Sequence, residues 1–287
     1  MNDLVNPLVE DRSQEFTNPF LKWAGGKRAL LPRLLKLVPP SYNEYHEPFL
    51  GAGSVFFALK PERANLADTN AELINAFIVV RDEPYQLIKT LKRFRYNESQ
   101  YYSLRKSKPK TSLSRAARFI FLNKTCWNGL YRVNKLGQFN VPFGRYNDPK
   151  ICDASGILAA SETLQKASIC NGTFNTTLKK PKEHDFVYCD PPYTVAHDKN
   201  GFLAYNEKIF SWEDQVQLKQ LIEKLTDRGC CAMVSNACHT SIKELYSGYK
   251  QIVVSRQSTI AGNKSARGSV KELVILNYDP VSGEMIW

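Results

Sequence analysis

The chain has 287 residues, 43% hydrophobic and 23% charged, and its 39 Lys and Arg against 28 Asp and Glu give a formal net charge of +11. These are the proportions of a soluble globular protein of one large or two modest domains, with ample chain to bury a core. The longest apolar run, near Ile74–Val80, is too short to span a bilayer, and Met1–Glu15 carries acids without an apolar stretch of signal length. A cytoplasmic protein with no membrane partner is therefore expected. Seven cysteines without a Cys-x-x-Cys pair read as reduced, mostly structural thiols. Four histidines without metal-ligand spacing predict no metal.

The first informative segment in chain order is Tyr45–Phe57, where Glu47-Pro48-Phe49-Leu50-Gly51-Ala52-Gly53 joins a short strand to an apolar helix start. A strand, a glycine turn and a helix make a nucleoside cofactor site, with Gly51 permitting the turn and Gly53 leaving room for a ligand. Phe56 falls where a dinucleotide fingerprint requires its third glycine, which disfavours a nicotinamide cofactor. Ala64–Asn70 reads as a second strand whose tip acid, Asp68, is placed to bind ribose hydroxyls. Helical patterns follow at Glu72–Val80 and Glu213–Thr226, the latter opened by Ser211 as N-cap with Asp214 three residues on.

Further strand-like runs fall at Ser168–Phe174, Phe186–Asp190, Cys231–Ser235, Gln251–Ser255 and Leu273–Asn277, and their alternation with helices predicts a mostly parallel sheet covered on both faces. The gap after the Asp68 strand is too long for a loop, so residues 83–161 are expected to be an inserted domain. The catalytic domain would then comprise 17–82 and 162–287, after a tail of 1–16. From Lys89 to Arg145 fourteen basic residues face a single acid, Glu98, with aromatic residues such as Tyr96, Tyr102, Trp127 and Tyr131 interleaved. That block predicts a nucleic-acid partner. Within it, Leu113–Lys124 has helical spacing with Arg115 and Arg118 expected on the exposed side, and Tyr131–Tyr146 reads as a β-hairpin turning near Lys135-Leu136-Gly137. A hairpin edged by Arg132 and Arg145 could enter a major groove, where Arg reads guanine through O6 and N7.

Asp185–Tyr193 carries the sharpest chemical signal, an apolar strand that ends in Asp190-Pro191-Pro192-Tyr193. Asp190 can accept one hydrogen of an exocyclic amine, the Pro191 carbonyl the other, and Tyr193 offers a ring face for the base. The prolines keep the turn stiff and remove competing N–H donors.

Taken together these motifs resemble the Dam-type DNA N6-adenine methyltransferases of the D12 or alpha class. The resemblance covers nearly the whole chain after Thr17 and is carried by Phe20-Leu21-Lys22-Trp23-Ala24-Gly25-Gly26-Lys27, Glu47–Gly53, Ala67-Asp68, Asn128-Gly129-Leu130-Tyr131-Arg132, Phe139–Tyr146 and Asp190–Tyr193. It implies a Rossmann-like α/β fold with a mostly parallel seven-stranded sheet, Gln251–Asn277 supplying an antiparallel hairpin at one edge, and an inserted helical and β-hairpin recognition domain. S-adenosylmethionine is the implied cofactor, held by Trp23, Lys27, Phe49, Gly51, Gly53, Asp68 and Asp190. The implied catalytic set is Asp190, Pro191, Pro192 and Tyr193. The implied partner is double-stranded DNA, bound by a monomer without a metal.

On the DNA side the resemblance implies that the target adenine is flipped from the duplex, with Trp127 and Asn128 filling the vacated space. Arg132 would read a guanine, Leu130, Pro142 and Tyr146 would support base contacts, and Lys22 would touch flanking DNA. Position 127 departs from the family, which has tyrosine there. GATC is the leading target, with longer sites beginning GAT, an RNA substrate or an inactive DNA-binding scaffold as alternatives. Two further segments are expected to be mobile: Thr194–Glu207, with Phe202 and Tyr205 as anchors over the flipped base, and Ser258–Ser269, with Asn263, Lys264 and Arg267 clamping phosphate.

Overall fold

The computed structural model describes residues 17–195, 210–257 and 269–280. Phe202, Tyr205, Asn263, Lys264, Arg267 and the tail 1–16 lie outside the described residues. A seven-stranded sheet runs in the order β3-β2-β1-β4-β5-β7-β6. Its strands are β1 (Tyr45–Glu47), β2 (Ala64–Asp68), β3 (Ala167–Asn171), β4 (Phe186–Cys189), β5 (Cys231–Ala237), β6 (Lys250–Gln257) and β7 (Ser269–Leu276). β1 through β5 pair in parallel, whereas β7 is antiparallel to both β5 and β6. The expected fold class and the edge hairpin are both present.

Side-chain alternation divides the core between the two faces of the sheet. Phe186 and Tyr188 of β4, Met233 of β5 and Val274 of β7 point into one apolar cluster, and Val187, Cys189, Val234 and Ile275 into the other. The second cluster is covered by α8 (Phe174–Thr177), α9 (Trp212–Asp227) and α10 (Thr240–Leu245) through Phe174, Leu218, Ile222, Leu225 and Ile242. Ser211 and Asp214 close the foreseen capping box on α9, exchanging bonds of 3.2 and 2.8 Å. The first cluster is covered by α2 (Ser54–Leu59), α3 (Ala71–Asp82), α4 (Pro84–Leu91), α6 (Ser112–Thr125) and α7 (Ala154–Leu164), with α1 (Leu31–Leu34) beside them. Asn70 caps α3, accepting from Glu72 N and Leu73 N at 3.1 Å each.

Three of these helices lie within the segment expected to be inserted. Leu87 and Leu91 of α4, Phe119 and Ile120 of α6 and Ile157 and Leu164 of α7 share the cluster that backs the sheet, and Ser161 falls inside α7. A separate small cluster, built on Tyr101, Phe121, Leu122, Cys126 and Val141, joins α6 to α5 (Glu98–Lys106) and to the chain at 126–146.

The structure corrects two expectations about this segment. Arg115 and Arg118 are not displayed from α6: Arg115 Nε donates to Glu72 Oε1 at 3.1 Å, and Arg118 donates to the carbonyls of Leu104 (2.7 Å) and Arg105 (2.8 Å). Their guanidinium groups tie α6 to α3 and to α5. The segment 131–146 also lacks two regular strands. Its antiparallel bridges are Val133 with Phe139 and, at its base, Cys126 with Phe143, with the turn closed by Asn134 N to Gln138 O at 2.9 Å. Pairing stops because the Val141 carbonyl accepts from Tyr101 OH (2.7 Å) and Arg105 Nη1 (3.1 Å), and Pro142 has no N–H to give. Among the described residues no helix is long and apolar enough to cross a membrane.

Replacing Arg118 with Ala removes two charge-assisted bonds, to the carbonyls of Leu104 and Arg105, so it should cost about 1–3 kcal/mol of stability. The slope of log affinity against log salt for duplex DNA should not change; a slope reduced by about one would make Arg118 a phosphate contact.

Candidate active site

The sheet reverses its direction of growth between β1 and β4, and ligands of open α/β sheets bind beyond the strand ends at such a switch. The glycine turn after β1, the tip of β2 and the Asp-Pro-Pro-Tyr turn after β4 all sit at the C-terminal ends of their strands. Gly51 has φ +48°, and a Cβ there would lie 3.0 Å from the indole of Trp23. Only glycine fits that turn. Asp68 pins it, one carboxylate oxygen accepting from Gly51 N at 3.1 Å and the other from Asn70 N at 2.9 Å. Burial raises Asp68 above its ordinary value, and these backbone donors pull it back. Each oxygen keeps further acceptor capacity for a ribose. Gly53, at φ +69°, occupies the N-cap of α2.

Lys27 opens a short 3₁₀ turn, Lys27–Leu30, and is only 4% exposed. Its Nζ donates to the Gly25 carbonyl at 3.0 Å and lies 2.7 Å from Asp190 Oδ1 and 3.5 Å from Glu272 Oε2. Tyr193 OH donates to the same Glu272 oxygen at 2.6 Å, and the Lys27 ammonium sits 4.9 Å from the centre of the Tyr193 ring. Burial raises Asp190, the adjacent Lys27 lowers it, and Glu272 raises it further. Burial also lifts the Tyr193 phenol well above its usual range, keeping it a neutral donor. The cysteines are free, and burial pushes Cys126 and Cys230 up to about 11, so these thiols are protonated at neutral pH.

Trp23 joins the glycine turn to the loops that follow α6. Its ring stacks on Tyr131 at 5.8 Å and 20°, and packs on Phe119 at 6.5 Å. The neighbouring Lys22 N bonds Asn123 Oδ1 at 2.9 Å, while Asn123 Nδ2 donates to the carbonyls of Lys22 (2.7 Å) and Gly129 (3.3 Å). Trp127, Asn128, Arg132 and Pro142 are exposed, Trp127 at 52%, and Leu130 and Tyr146 are half-buried. Asn128 stands in the left-handed region at φ +53°. Lys22 Nζ lies 4.0 Å over the Tyr146 ring, Tyr146 OH bonds the Cys126 carbonyl at 2.8 Å, and Arg132 Nε donates to Asn140 Oδ1 at 2.8 Å. The sequence-derived residues thus form a largely buried cluster around Lys27 and an adjoining exposed ledge. Phe49 stands apart, stacked on Phe174 and edge-on to Phe210 at 5.5 Å each.

Sequence reasoning missed three residues. Glu272 was readable as an acid in an apolar strand run, and Glu47 as a buried acid at the end of β1. Asn123, inside an amphipathic helix, gave no signal. The histidine expectation needs qualifying too: Glu44, His46 and Asp185 bring three donor atoms within 4.8 Å of one another at the opposite, N-terminal ends of β1 and β4. Asp185 is already engaged there by His46 Nε2 (3.0 Å), Glu44 N (3.1 Å) and Lys182 N (2.8 Å), which explains the cluster as a latch between the strands.

The Asp-Pro-Pro-Tyr turn thus meets the glycine turn near an exposed ledge that carries Trp127, Asn128 and Arg132. The family profile of D12 class N6 adenine-specific DNA methyltransferases matches residues 23–260. The chain is 39% identical over 270 residues to the Type II methyltransferase M1.LlaDCHI of Lactococcus lactis subsp. cremoris, covering 91% of this chain and 95% of that one. It is 36% identical to the Type II methyltransferase M.MjaIII of Methanocaldococcus jannaschii, covering 91% and 99%. It is 34% identical to the DNA adenine methylase of Escherichia coli K12, covering 91% and 95%. The chain belongs to the D12 class of N6 adenine-specific DNA methyltransferases, and is an adenine-specific DNA methyltransferase.

Burial raises Glu47 from an ordinary 4.5 to about 8, with Tyr45 OH, 2.8 Å from its Oε2, opposing the shift. A folded-state value above the unfolded one stabilises fully below the unfolded value and is lost as pH rises through the folded value. Wild-type stability should therefore decline through this group between pH 4.5 and about 8. Glu47→Gln should flatten that stretch of the stability curve in denaturant titrations; an unchanged slope would place Glu47 ionised in the fold.

Proposed function

We propose that this enzyme transfers the methyl group of S-adenosylmethionine to the N6 of an adenine flipped out of duplex DNA, within GATC. The observation that carries the reading is the junction of Asp190, Lys27 and the Gly51 turn with the exposed ledge of Trp127, Asn128 and Arg132. Trp23, Lys27, Phe49, Gly51, Gly53, Asp68 and Asp190 are the residues that would hold the cofactor, with Asp68 toward the ribose and Lys27 toward a carboxylate. When bound, S-adenosylmethionine supplies an electrophilic methyl group.

The adenine amine is a poor nucleophile because its lone pair is delocalised into the ring. Asp190 and the Pro191 carbonyl accept hydrogen bonds from its two N–H groups and draw the nitrogen toward tetrahedral geometry, and one of these protons leaves once N6 carries the methyl group. These bonds strengthen as positive charge develops on nitrogen, so they act chiefly in the transition state. Pro192 stiffens the turn and Tyr193 stacks on the extruded base. Flipping costs a few kcal/mol, least where the vacated space is refilled, and Trp127 and Asn128 stand ready to fill it. No metal is needed for this chemistry.

Arg132, exposed and steadied by Asn140, is positioned for paired bonds to a guanine, with Leu130, Pro142 and Tyr146 shaping the ledge and Lys22 on flanking DNA. Residues 83–161 act as the recognition segment, and one chain carries every part, so it works as a monomer in the cytoplasm. Methyl transfer to unmethylated genomic DNA, followed by mapping of the modified base, tests this function. N6-methyladenine confined to GATC is the expected result, and modification of RNA alone or of no substrate would refute it. Arg132→Ala should cost about 1–3 kcal/mol and relax discrimination at guanine. An equal loss on every sequence would recast Arg132 as a phosphate contact.

A further inference from the structure

The proposed reaction uses Asp190, Tyr193 and Lys27 but leaves a fourth buried group unexplained. Glu272 is 3% exposed and sits near the start of the apolar run of β7, opposite Ala237 of β5 and Val254 of β6. A carboxylate buried there without a purpose would be strongly destabilising. Its Oε2 accepts from Tyr193 OH at 2.6 Å and lies 3.5 Å from Lys27 Nζ, which in turn lies 2.7 Å from Asp190. Glu272 thus reaches, from two strands away in the sheet, both residues that flank the acceptor Asp190. One ammonium serves two carboxylates, so it can hold Asp190 less tightly than a private partner would.

We infer that Glu272 is a positioning residue for methyl transfer, which fixes the ring of Tyr193 through its hydroxyl and shares Lys27 with Asp190, leaving the Asp190 carboxylate available to the amine. The inference rests on the functional reading above and adds a residue to it. With Lys27 committed to Asp190 alone, that carboxylate would be a weaker acceptor for the adenine amine. With Lys27 held by Glu272 as well, Asp190 keeps acceptor capacity for the amine. The groups that face Asp190 are Lys27, Glu272, Tyr193, Tyr188, Glu47 and Cys189. Among them Glu272 is the anion whose charge can be removed with little change of shape.

Glu272→Gln tests this directly. The first measurement is an NMR titration of the ¹³C-labelled Asp190 carboxyl in wild type and variant without ligands. Glu272 raises the Asp190 value, so removing its charge should move the midpoint to lower pH. The second is the single-turnover rate on duplex DNA. It should fall at least about tenfold, with KM for DNA and cofactor within about threefold of wild type. The acid limb of its pH profile should move down with the midpoint. An unmoved midpoint, or a rate within about twofold of wild type, would overturn the inference. Should Glu272→Gln not fold, Tyr193→Phe deletes the hydroxyl that Glu272 holds and keeps the ring. A rate loss of about tenfold at unchanged duplex affinity supports the role, and a rate within about twofold overturns it. If wild type transfers nothing to duplex DNA, the functional reading fails, while the titration still decides whether Glu272 governs Asp190.

Discussion

One buried ammonium, Lys27, stands between a buried carboxylate, Glu272, and a partly buried one, Asp190, and the arrangement of the site follows from that constraint. Asp190 at 2.7 Å and Glu272 at 3.5 Å arrive from different strands, and Lys27 from the glycine segment that precedes the sheet. Breaking a buried pair by removing one partner typically costs about 3–5 kcal/mol, because the other charge is left uncompensated. The three segments are therefore held in mutual register by electrostatics as well as by packing. The antiparallel β7, an anomaly in an otherwise parallel order, brings Glu272 to the same end of the sheet as the tip of β4.

The second constraint is the linkage between the Lys27 cluster and the ledge. Trp23 borders Gly51 on one side and stacks on Tyr131 on the other, so the glycine turn and the segment after α6 share a ring. Asn123 repeats the connection in hydrogen bonds, joining both backbone groups of Lys22 to the turn at Gly129. A buried amide with both ends satisfied is a rigid joint. Because α4, α6 and α7 belong to the core that backs the sheet, the ledge is mounted on the catalytic body.

Much of this architecture was legible in the sequence. Strand-like runs alternating with helical patterns located all seven strands, and Ser211 with Asp214 located a helix start, because these signals are local. The glycine turn, Asp68 and the Asp190 turn were legible because the chemistry demands unusual residues in short spans. What escaped depends on tertiary partners. Arg115 and Arg118 read as exposed on their helix, since nothing local shows that Glu72 and the carbonyls ending α5 will claim them. The hairpin of 131–146 read as regular because its turn is local, whereas Tyr101 and Arg105, which capture the Val141 carbonyl, lie far off in sequence. Glu272 stands out as an acid in an apolar strand run, but its role escaped because its partners, Lys27 and Tyr193, are remote in sequence.

The most direct test of the account is the single-turnover rate of methyl transfer to duplex DNA by Asp190→Ala, with duplex affinity measured on the same protein. The account predicts a folded variant whose rate falls at least about a hundredfold while its affinity for duplex DNA stays within about threefold of wild type. Turnover within about tenfold of wild type would show that the amine is activated by another group, and would contradict the assignment of the Asp190 turn as the catalytic centre.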